Sequence, residues 1–299
     1  MTDIPAAATR QRVTPAGIAF LLATSLAWGF NWPIIKFVLS EWPPLSARGW
    51  TGVVGGLVLA LYALARGDSL RVPRDQWPRL VVSAFLNVTL WMAVMGIALV
   101  YLPASEAAVI AYTMPIWTAL LAWPLLGERL TISRIAALVM AFTGLAVLMG
   151  GNGLSHSLEQ LPGILLALTG SVGFALGTIF LKKFPIGLPG ATSAAWQIEL
   201  GCLPIALLGL VFEHPSIAAL TAGGWAAMAY MVFGQFCIAY VCWFAALERL
   251  PASVAAIGTM LVPVIGVLSA AFALGEPLGA TKIAALALTV AGVALAARS

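Results

Sequence analysis

Ten apolar runs, each about 20 residues long, occupy almost the whole chain. A run of that length spans the hydrocarbon core of a bilayer as an α-helix, and runs without alternation favour helices over barrel strands. The sequence therefore predicts an all-α integral membrane protein with ten transmembrane helices. The predicted spans are 15–38, 44–65, 78–100, 104–125, 132–150, 161–182, 189–211, 224–247, 252–273 and 278–297.

The composition argues against the soluble classes of protein. Charged residues make up 9% of the chain and the mean hydropathy is +1.01, whereas a soluble domain carries about 25% charged residues. We therefore expect neither a water-soluble enzyme, nor a nucleic-acid binder, nor a disordered chain. The three cysteines lie in apolar runs and the two histidines in connecting segments, so the sequence predicts no metal site and no cofactor.

Basic residues predict the orientation of the chain. If the N-terminus is cytoplasmic, the outer side holds Lys36, Arg48 and Lys282, and the other twelve of the 15 lysines and arginines fall on the cytoplasmic side. An incorrect number of spans would scramble this bias, so it supports both the count and the direction. Both termini are expected to be cytoplasmic, and the first run, which is too long for a signal peptide, is expected to remain as an anchor.

The second half of the chain repeats the first at a constant offset. Residues 102–108 read LPASEAA and residues 250–256 read LPASVAA, which gives an offset of 148 (250 minus 102). The same offset pairs Pro115 with Pro263. Chance similarity between apolar helices would not hold one register through prolines and glycines, so we interpret the two halves as copies of one unit.

Each copy contains five predicted spans, which is an odd number. The second copy therefore enters the membrane from the opposite side, so that Glu128 lies at the cytoplasmic face and its counterpart Glu276 at the outer face. We predict two inverted repeats, 1–150 and 151–299, around a central cavity. Inverted repeats are a common build of secondary transporters, and channels also contain them.

Three amides are the candidate polar groups near the middle of the membrane. Asn87 in the third span and Gln235 in the eighth are related by the repeat, so pseudo-symmetry places them on opposite walls of one cavity. An amide donates and accepts hydrogen bonds, which suits the ends of a polar or zwitterionic solute. A hydrogen bond between helices, worth about 0.6–2 kcal/mol, is the alternative role. Asn31, in the first span, is the third candidate.

Two prolines and one carboxylate are candidates for movement and coupling. Pro115 and Pro263 fall midway along the fourth and ninth spans, where each is expected to kink its helix and free carbonyls near Ala111 and Thr259. Glu199 lies in the middle of a span, where a charge is costly and marks a function by default. It is a candidate for proton coupling, and a neutral, purely structural carboxyl is the alternative.

Aromatic side chains accompany the amides. The candidates for lining the cavity are Trp91, Tyr112, Tyr240 and Trp243. Such walls would suit a flat, partly apolar solute with a polar end, and ordinary packing is the alternative for any single ring. No lysine or arginine is predicted deep in the membrane, since Lys36 and Arg48 are expected near the outer surface, where they snorkel, pair or line an outer vestibule.

Five short segments together carry a resemblance that covers nearly the whole chain: 27–31 (AWGFN), 102–105 (LPAS) with 126–128 (LGE), and 250–253 (LPAS) with 274–276 (LGE). In these segments the sequence resembles the drug/metabolite transporter superfamily, in its EamA-type ten-helix class. The resemblance implies a central cavity lined mainly by the first, third, fourth, sixth, eighth and ninth spans. It also implies export of small metabolites, often amino acids, across a bacterial inner membrane. The tryptophan content is similar to that of YddG-type exporters of aromatic amino acids.

These observations lead to one main hypothesis about function and two alternatives. The main one is a monomeric secondary transporter that exports aromatic or large neutral amino acids by alternating access, with a small-molecule substrate and no obligatory protein partner. The first alternative is an exporter of drug-like cations, which would use Glu199 and an aromatic cage. The remote alternative is an intramembrane enzyme, which would need a nucleophile with a base, or metal ligands, at depth.

Overall fold

The computed structural model describes residues 14–127, 153–250 and 261–297, together with Thr259 and a few positions between 132 and 147. The predicted fifth span, 132–150, and the first part of the ninth, 252–273, lie largely outside the described residues. Throughout the described part the regular structure is helical and contains no strand. Seven of its helices are long and apolar enough to cross a membrane. The predicted all-α membrane fold is therefore confirmed.

The described helices are numbered in chain order. Their bounds are α1 Pro15–Val38, α2 Pro44–Ala65, α3 Arg74–Tyr101, α4 Ala104–Leu126, α5 Gly153–Lys183, α6 Gly190–Phe212, α7 in the consecutive segments Ala222–Tyr230, Met231–Ile238 and Ala239–Arg249, α8 Leu261–Leu274, and α9 Ala280–Ala297. Proline in the first turn favours several of these starts, since its missing N–H has no intrahelical partner there.

The packing of the helices has the two-fold relationship that the repeat predicts. Helix α1 packs against α7 and α8, and its repeat counterpart α5 packs against α3 and α4, which are the counterparts of α7 and α8. Helix α2 packs against its own counterpart, α6. Along that pair Gly49 faces Ala206 and Gly56 faces Glu199, so the two helices run antiparallel. The second copy is therefore inverted with respect to the first.

The α2–α6 pair approaches closely because glycines line the contact. A Cβ added to Gly49 would lie 2.5 Å from the Cα of Ala206, and one added to Gly52 would lie 2.6 Å from the Cβ of Cys202. Small residues at helix contacts let two backbones approach, which is the main source of packing energy where lipid removes the hydrophobic driving force. This contact fixes the position of α2.

The helix ends define two faces of the molecule. Helices α1 and α6 begin at one face, which we call the amino-terminal face. Helices α2, α4 and α7 begin at the other, which we call the opposite face. At the opposite face, each of those three helix starts is capped by a carboxylate from a distant part of the chain, which satisfies free backbone N–H groups. The contacts are Glu213 with Leu45 N (2.9 Å) and Ser46 N (2.7 Å), Glu276 with Ala104 N (2.7 Å) and Ser105 N (3.1 Å), and Glu41 with Thr221 N (2.9 Å).

Lysines add further contacts at the opposite face. Lys282 Nζ lies 3.7 Å from Glu276 and 3.8 Å from Glu106. Lys36 donates to the backbone carbonyl of Leu102 at 2.9 Å and to that of Leu99. These contacts tie the end of α1, the α3–α4 turn and the start of α9 together at one face.

Candidate functional site

A cavity lies at the centre of the bundle, where α1, α2, α3, α4, α5 and α7 face one another. The centre of a water-sized sphere can occupy a volume of about 120 Å³ in this cavity. One water needs roughly 10–15 Å³ on the same measure, so several waters or a small solute fit. The helices agree with those implied by the family resemblance, except that α2 contributes and the described part of the ninth span does not. The lining residues are Trp28, Asn31, Trp32, Arg48, Asn87, Trp91, Met92, Met95, Tyr112, Met114, Phe174, Gln235 and Tyr240.

Asn87 and Gln235 both lie in π-helical turns and both line this cavity. The turns cover Phe85–Thr89 in α3 and Met231–Ile238 in α7, at positions related by the offset of 148. A π-helical turn widens the helix, leaves carbonyls poorly paired and is frequent at functional sites. Trp28 Nε1 donates to the Gln235 carbonyl at 3.3 Å, which compensates one such group.

Asn87 lines the cavity, and its own hydrogen bonds in the described residues stay within α3. Its Nδ2 donates to the carbonyl and the hydroxyl of Ser83, at 3.1 and 3.2 Å, and Ser83 donates onward to Gln197 Oε1 at 2.6 Å. The same side chain packs against Gly177 of α5, where a Cβ would lie 2.6 Å from Asn87 Cγ. Asn87 therefore contacts α5 while it lines the cavity, and Ser83 links α3 to α6.

Aromatic rings form two walls of the cavity. Trp28 and Tyr240 meet edge to face with their centroids 5.7 Å apart, and Trp91 and Phe174 meet at 5.3 Å. Tyr112 lines the same space from α4. Edge-to-face and tilted pairs are favourable and hold the rings in place. The cavity wall is thus rigid and largely apolar.

In the described residues each of the two prolines lies in the first turn of a helical segment. Helix α4 stops at Ala111 and resumes at Met114, which places Pro115 in the first turn of the new segment. Pro263 likewise falls in the first turn of α8. A proline is tolerated there because its missing N–H costs no intrahelical bond. Helix α4 is therefore interrupted at Tyr112 and Thr113, just before Pro115, and the role of the two prolines as kinks or hinges stays a prediction.

The carbonyls freed at the break in α4 already have a partner. The hydroxyl of Ser171, in α5, lies 3.1 Å from the carbonyl oxygens of both Ile110 and Ala111. The same hydroxyl lies 3.0 Å from the carbonyl of Ala167 in its own helix, so its one proton serves one of three acceptors at a time. That the carbonyl of Ala111 also meets a substrate stays a prediction. The corresponding carbonyl in the second copy belongs to Thr259, and the residues on both sides of it lie outside the described part.

A second cavity connects the central one to the amino-terminal face. It measures about 480 Å³ and shares Asn87, Phe174 and Tyr240 with the central cavity. Its other end lies beside the α5–α6 loop, at Pro185 and Leu188. Because they share these residues the two cavities adjoin, and we call them together the chamber, which extends from the centre of the bundle toward the amino-terminal face. The carboxylate caps and lysine contacts lie at the other end.

Trp243 and Glu199 lie away from the central cavity. Trp243 lines the second cavity and contacts Trp28, at a centroid distance of 5.8 Å. Glu199 lies at the α2–α6 contact beside Gly56, lines neither cavity, and its Oε2 is buried without a hydrogen-bond partner in the described residues. The role of Glu199 in coupling stays a prediction.

Arg48 is the functional candidate that the sequence reading placed wrongly. We expected it to snorkel, pair or line a vestibule near the outer surface, but its side chain is only 3% exposed and lines the central cavity. Its Cγ packs on Gly96 of α3, which directs the guanidinium inward. The apolar pattern of α2 gives the depth of Arg48 but not its direction around the helix axis.

The chain is similar to known membrane transporters over its whole length. A family model described as the EamA-like transporter family matches residues 15–150 and 161–298. The uncharacterized transporter YvbV of Bacillus subtilis is 31% identical over 93% of this chain and 89% of its own. A crystal structure with 26% identity superposes with a TM-score of 0.67, covering 93% of this chain and 96% of the other.

Two further relatives have names that state a substrate class. The aromatic amino acid exporter YddG of Ancylobacter novellus is 29% identical over 85% of this chain and 88% of its own. The "Probable amino-acid metabolite efflux pump" of Salmonella typhimurium is 26% identical over 91% of each chain. All of these names indicate a transporter rather than an enzyme.

Proposed function

The chain belongs to the EamA-like transporter family, and on that premise we propose that it exports amino acids, with aromatic or large neutral ones preferred. The observation that carries the proposal is the central cavity, where aromatic walls surround polar groups. An aromatic amino acid has the complementary shape, with a flat apolar ring at one end and a zwitterion at the other. The names of two relatives support the same substrate class.

The proposed mechanism is alternating access in a bacterial inner membrane. We assign the amino-terminal face, with both termini, to the cytoplasm because basic residues concentrate there. In this orientation the chamber extends toward the cytoplasm, the side from which an exporter loads its substrate. The cavity is built within one chain, so the proposal needs no second subunit. The described basic residues of that face are Arg66, Arg71, Arg74, Arg79, Lys182, Lys183 and Arg249.

Counterflow in proteoliposomes tests the substrate. Vesicles that contain the purified protein and are preloaded with unlabelled phenylalanine should accumulate labelled phenylalanine or tryptophan from outside. Protein-free vesicles and vesicles without the preload are the controls. If no amino acid in a complete panel supports counterflow, the proposed substrate class is wrong, while the fold and the family are unaffected.

Replacing Trp91 with leucine should weaken selectivity for aromatic substrates. Loss of one ring from the wall is expected to reduce the affinity for phenylalanine relative to leucine by about three- to tenfold. Competition against counterflow measures the ratio. Trp123→Leu is the matched control, because Trp123 is 56% exposed on the outside of α4. An equal loss of affinity for phenylalanine and leucine would contradict the assigned role of Trp91.

The cation exporter is less well supported. The described cavity wall carries Arg48 and no carboxylate, and Glu199 lies at a helix contact instead. We expect Glu199→Gln to leave amino-acid counterflow unchanged. Efflux of a drug-like cation that is lost in Glu199→Gln, with counterflow spared, would favour the cation exporter.

A further inference from the structure

Arg48 is a buried charge without a charged partner. Among the described residues its guanidinium makes only one polar contact, from Nη1 to the thioether of Met92 at 3.7 Å, and its Nε has no hydrogen-bond partner. A thioether is a weak acceptor and does not compensate a guanidinium. An arginine stays protonated in proteins, so it cannot escape the cost of burial by losing its charge. An anion is therefore missing from its surroundings.

The cavity wall itself does not provide that anion. Arg48 is the one charged side chain among the cavity-lining residues in the described part of the chain. A charge that faces the inside of a transmembrane bundle without a partner is costly and by default marks a substrate path. The compensating group can instead arrive with the solute. A guanidinium matches a carboxylate with two parallel hydrogen bonds, and charge-assisted bonds of this kind are roughly twice as strong as neutral ones.

Two other polar atoms of the same cavity also lack partners. Asn31 Oδ1 and Gln235 Oε1 are buried acceptors without a hydrogen-bond donor in the described residues. Both residues are about 6% exposed. A buried acceptor without a donor costs its full desolvation penalty, so a ligand that brings donors is favoured. An ammonium group has three N–H donors and no acceptor, which fits two amide oxygens.

We infer that Arg48 binds the carboxylate of the substrate and that the amide oxygens of Asn31 and Gln235 accept its ammonium group. This inference rests on the proposed function and deepens it, because it identifies the α-amino acid zwitterion as the recognised unit. The aromatic rings then select the side chain of the substrate. A zwitterion has no net charge, so the loaded cavity gains paired groups without carrying an additional charge through the membrane.

Matched ligands test the inference on the unaltered protein. Calorimetry on the full chain in lipid nanodiscs measures the binding of three ligands. They are phenylalanine, phenethylamine, which lacks the carboxylate, and 3-phenylpropanoate, which lacks the ammonium. We expect phenethylamine to bind at least about thirtyfold more weakly than phenylalanine, as for loss of one partner from a buried charge pair. Equal binding of phenylalanine and phenethylamine would overturn the inference.

Variants of Arg48 assign the effect to this residue. In Arg48→Met the preference for phenylalanine over phenethylamine should fall to about twofold or less, because the anion partner is gone. Arg48→Lys should retain part of the preference, since lysine keeps the charge but not the planar fork. Arg71→Met is the control for net charge, because Arg71 is an exposed arginine of the amino-terminal face. A preference that persists in Arg48→Met would refute the role of Arg48, and if that variant does not fold, the matched ligands still decide.

A wider panel separates this inference from the proposed substrate. It pairs aliphatic and acidic amino acids with their decarboxylated amines and includes inorganic phosphate. If only non-aromatic carboxylates bind, and do so through Arg48, the aromatic preference fails and the inference stands. If phosphate binds through Arg48 and carboxylates do not, the carboxylate assignment is wrong. Absence of binding by every carboxylate in the panel overturns it as well.

Discussion

Replacing Gly49 with leucine is expected to leave no folded transporter that can be purified. The Cβ of any side chain at this position would lie 2.5 Å from the Cα of Ala206, where helix α6 leaves no room. The obstacle is backbone, which cannot rotate away as a flexible side chain can. The two helices would have to separate, and their close contact is the main source of packing energy between them.

Graded replacements make this prediction measurable. Gly49→Ala should lower the thermal unfolding temperature in detergent, with a cost of about 1–3 kcal/mol. Gly279→Ala is the control, because no heavy atom lies within 4 Å of the position that its Cβ would take. The readouts are the yield of monodisperse protein and the unfolding temperature. Normal yield and normal counterflow for Gly49→Leu would show that the α2–α6 contact is looser than described.

Replacing Glu276 with alanine is expected to open the opposite face. The carboxylate of Glu276 accepts hydrogen bonds from Ala104 N and Ser105 N at the start of α4, and from the Ser105 hydroxyl. Lys282 adds an ion pair at 3.7 Å. Hydrogen bonds to a charged group at a helix start are strong, so their loss should cost the capped arrangement about 2–4 kcal/mol. An energy of that size shifts a two-state population by more than tenfold.

Distances between spin labels at Tyr101 and Gly279 measure this opening. Tyr101 is 46% exposed, and both positions flank the Glu276 contact. Cys237 and Cys242 are replaced by serine beforehand, while Cys202 is buried. The label distance should lengthen in Glu276→Ala and change less in Glu276→Gln, which keeps one acceptor oxygen. Glu159→Ala, at an exposed position near the same face, is the control.

An unchanged distribution of label distances in Glu276→Ala would mean that other contacts hold the face closed. The repeat extends the prediction to the other side of the membrane. Glu128 is the counterpart of Glu276 at the offset of 148 and lies outside the described residues. We expect Glu128→Ala to shift the same distribution in the opposite direction.

The sequence was sufficient for the membrane fold and for several residues of the cavity. Asn31, Asn87, Gln235 and Tyr240 line it as the depth of their spans suggested. The π-helical turns around Asn87 and Gln235 could not be predicted, because they have no local sequence signature. They depend on partners such as Trp28 that come from other helices.

The misplaced residues have a common physical explanation. A hydrophobic run gives the depth of each side chain in the membrane, but its direction around the helix axis depends on the neighbours. Arg48 points inward because Gly96 leaves room for its stem on α3. Ser171 reaches the carbonyl of Ala111, whose intrahelical donor Pro115 removes, since α5 passes beside the break in α4.

The amino-acid pattern alone is enough to establish the membrane class, the lengths of most spans and the inverted relation of the two halves. The bilayer demands apolar residues over a set thickness, and a copy with an odd number of spans has to reverse its orientation. Helix packing sets the rest: which side chains meet at the cavity, which helix starts are capped, and that Arg48 has no charged partner among the described residues. Those properties depend on contacts between residues far apart in the chain, for which a linear pattern contains no direct signal.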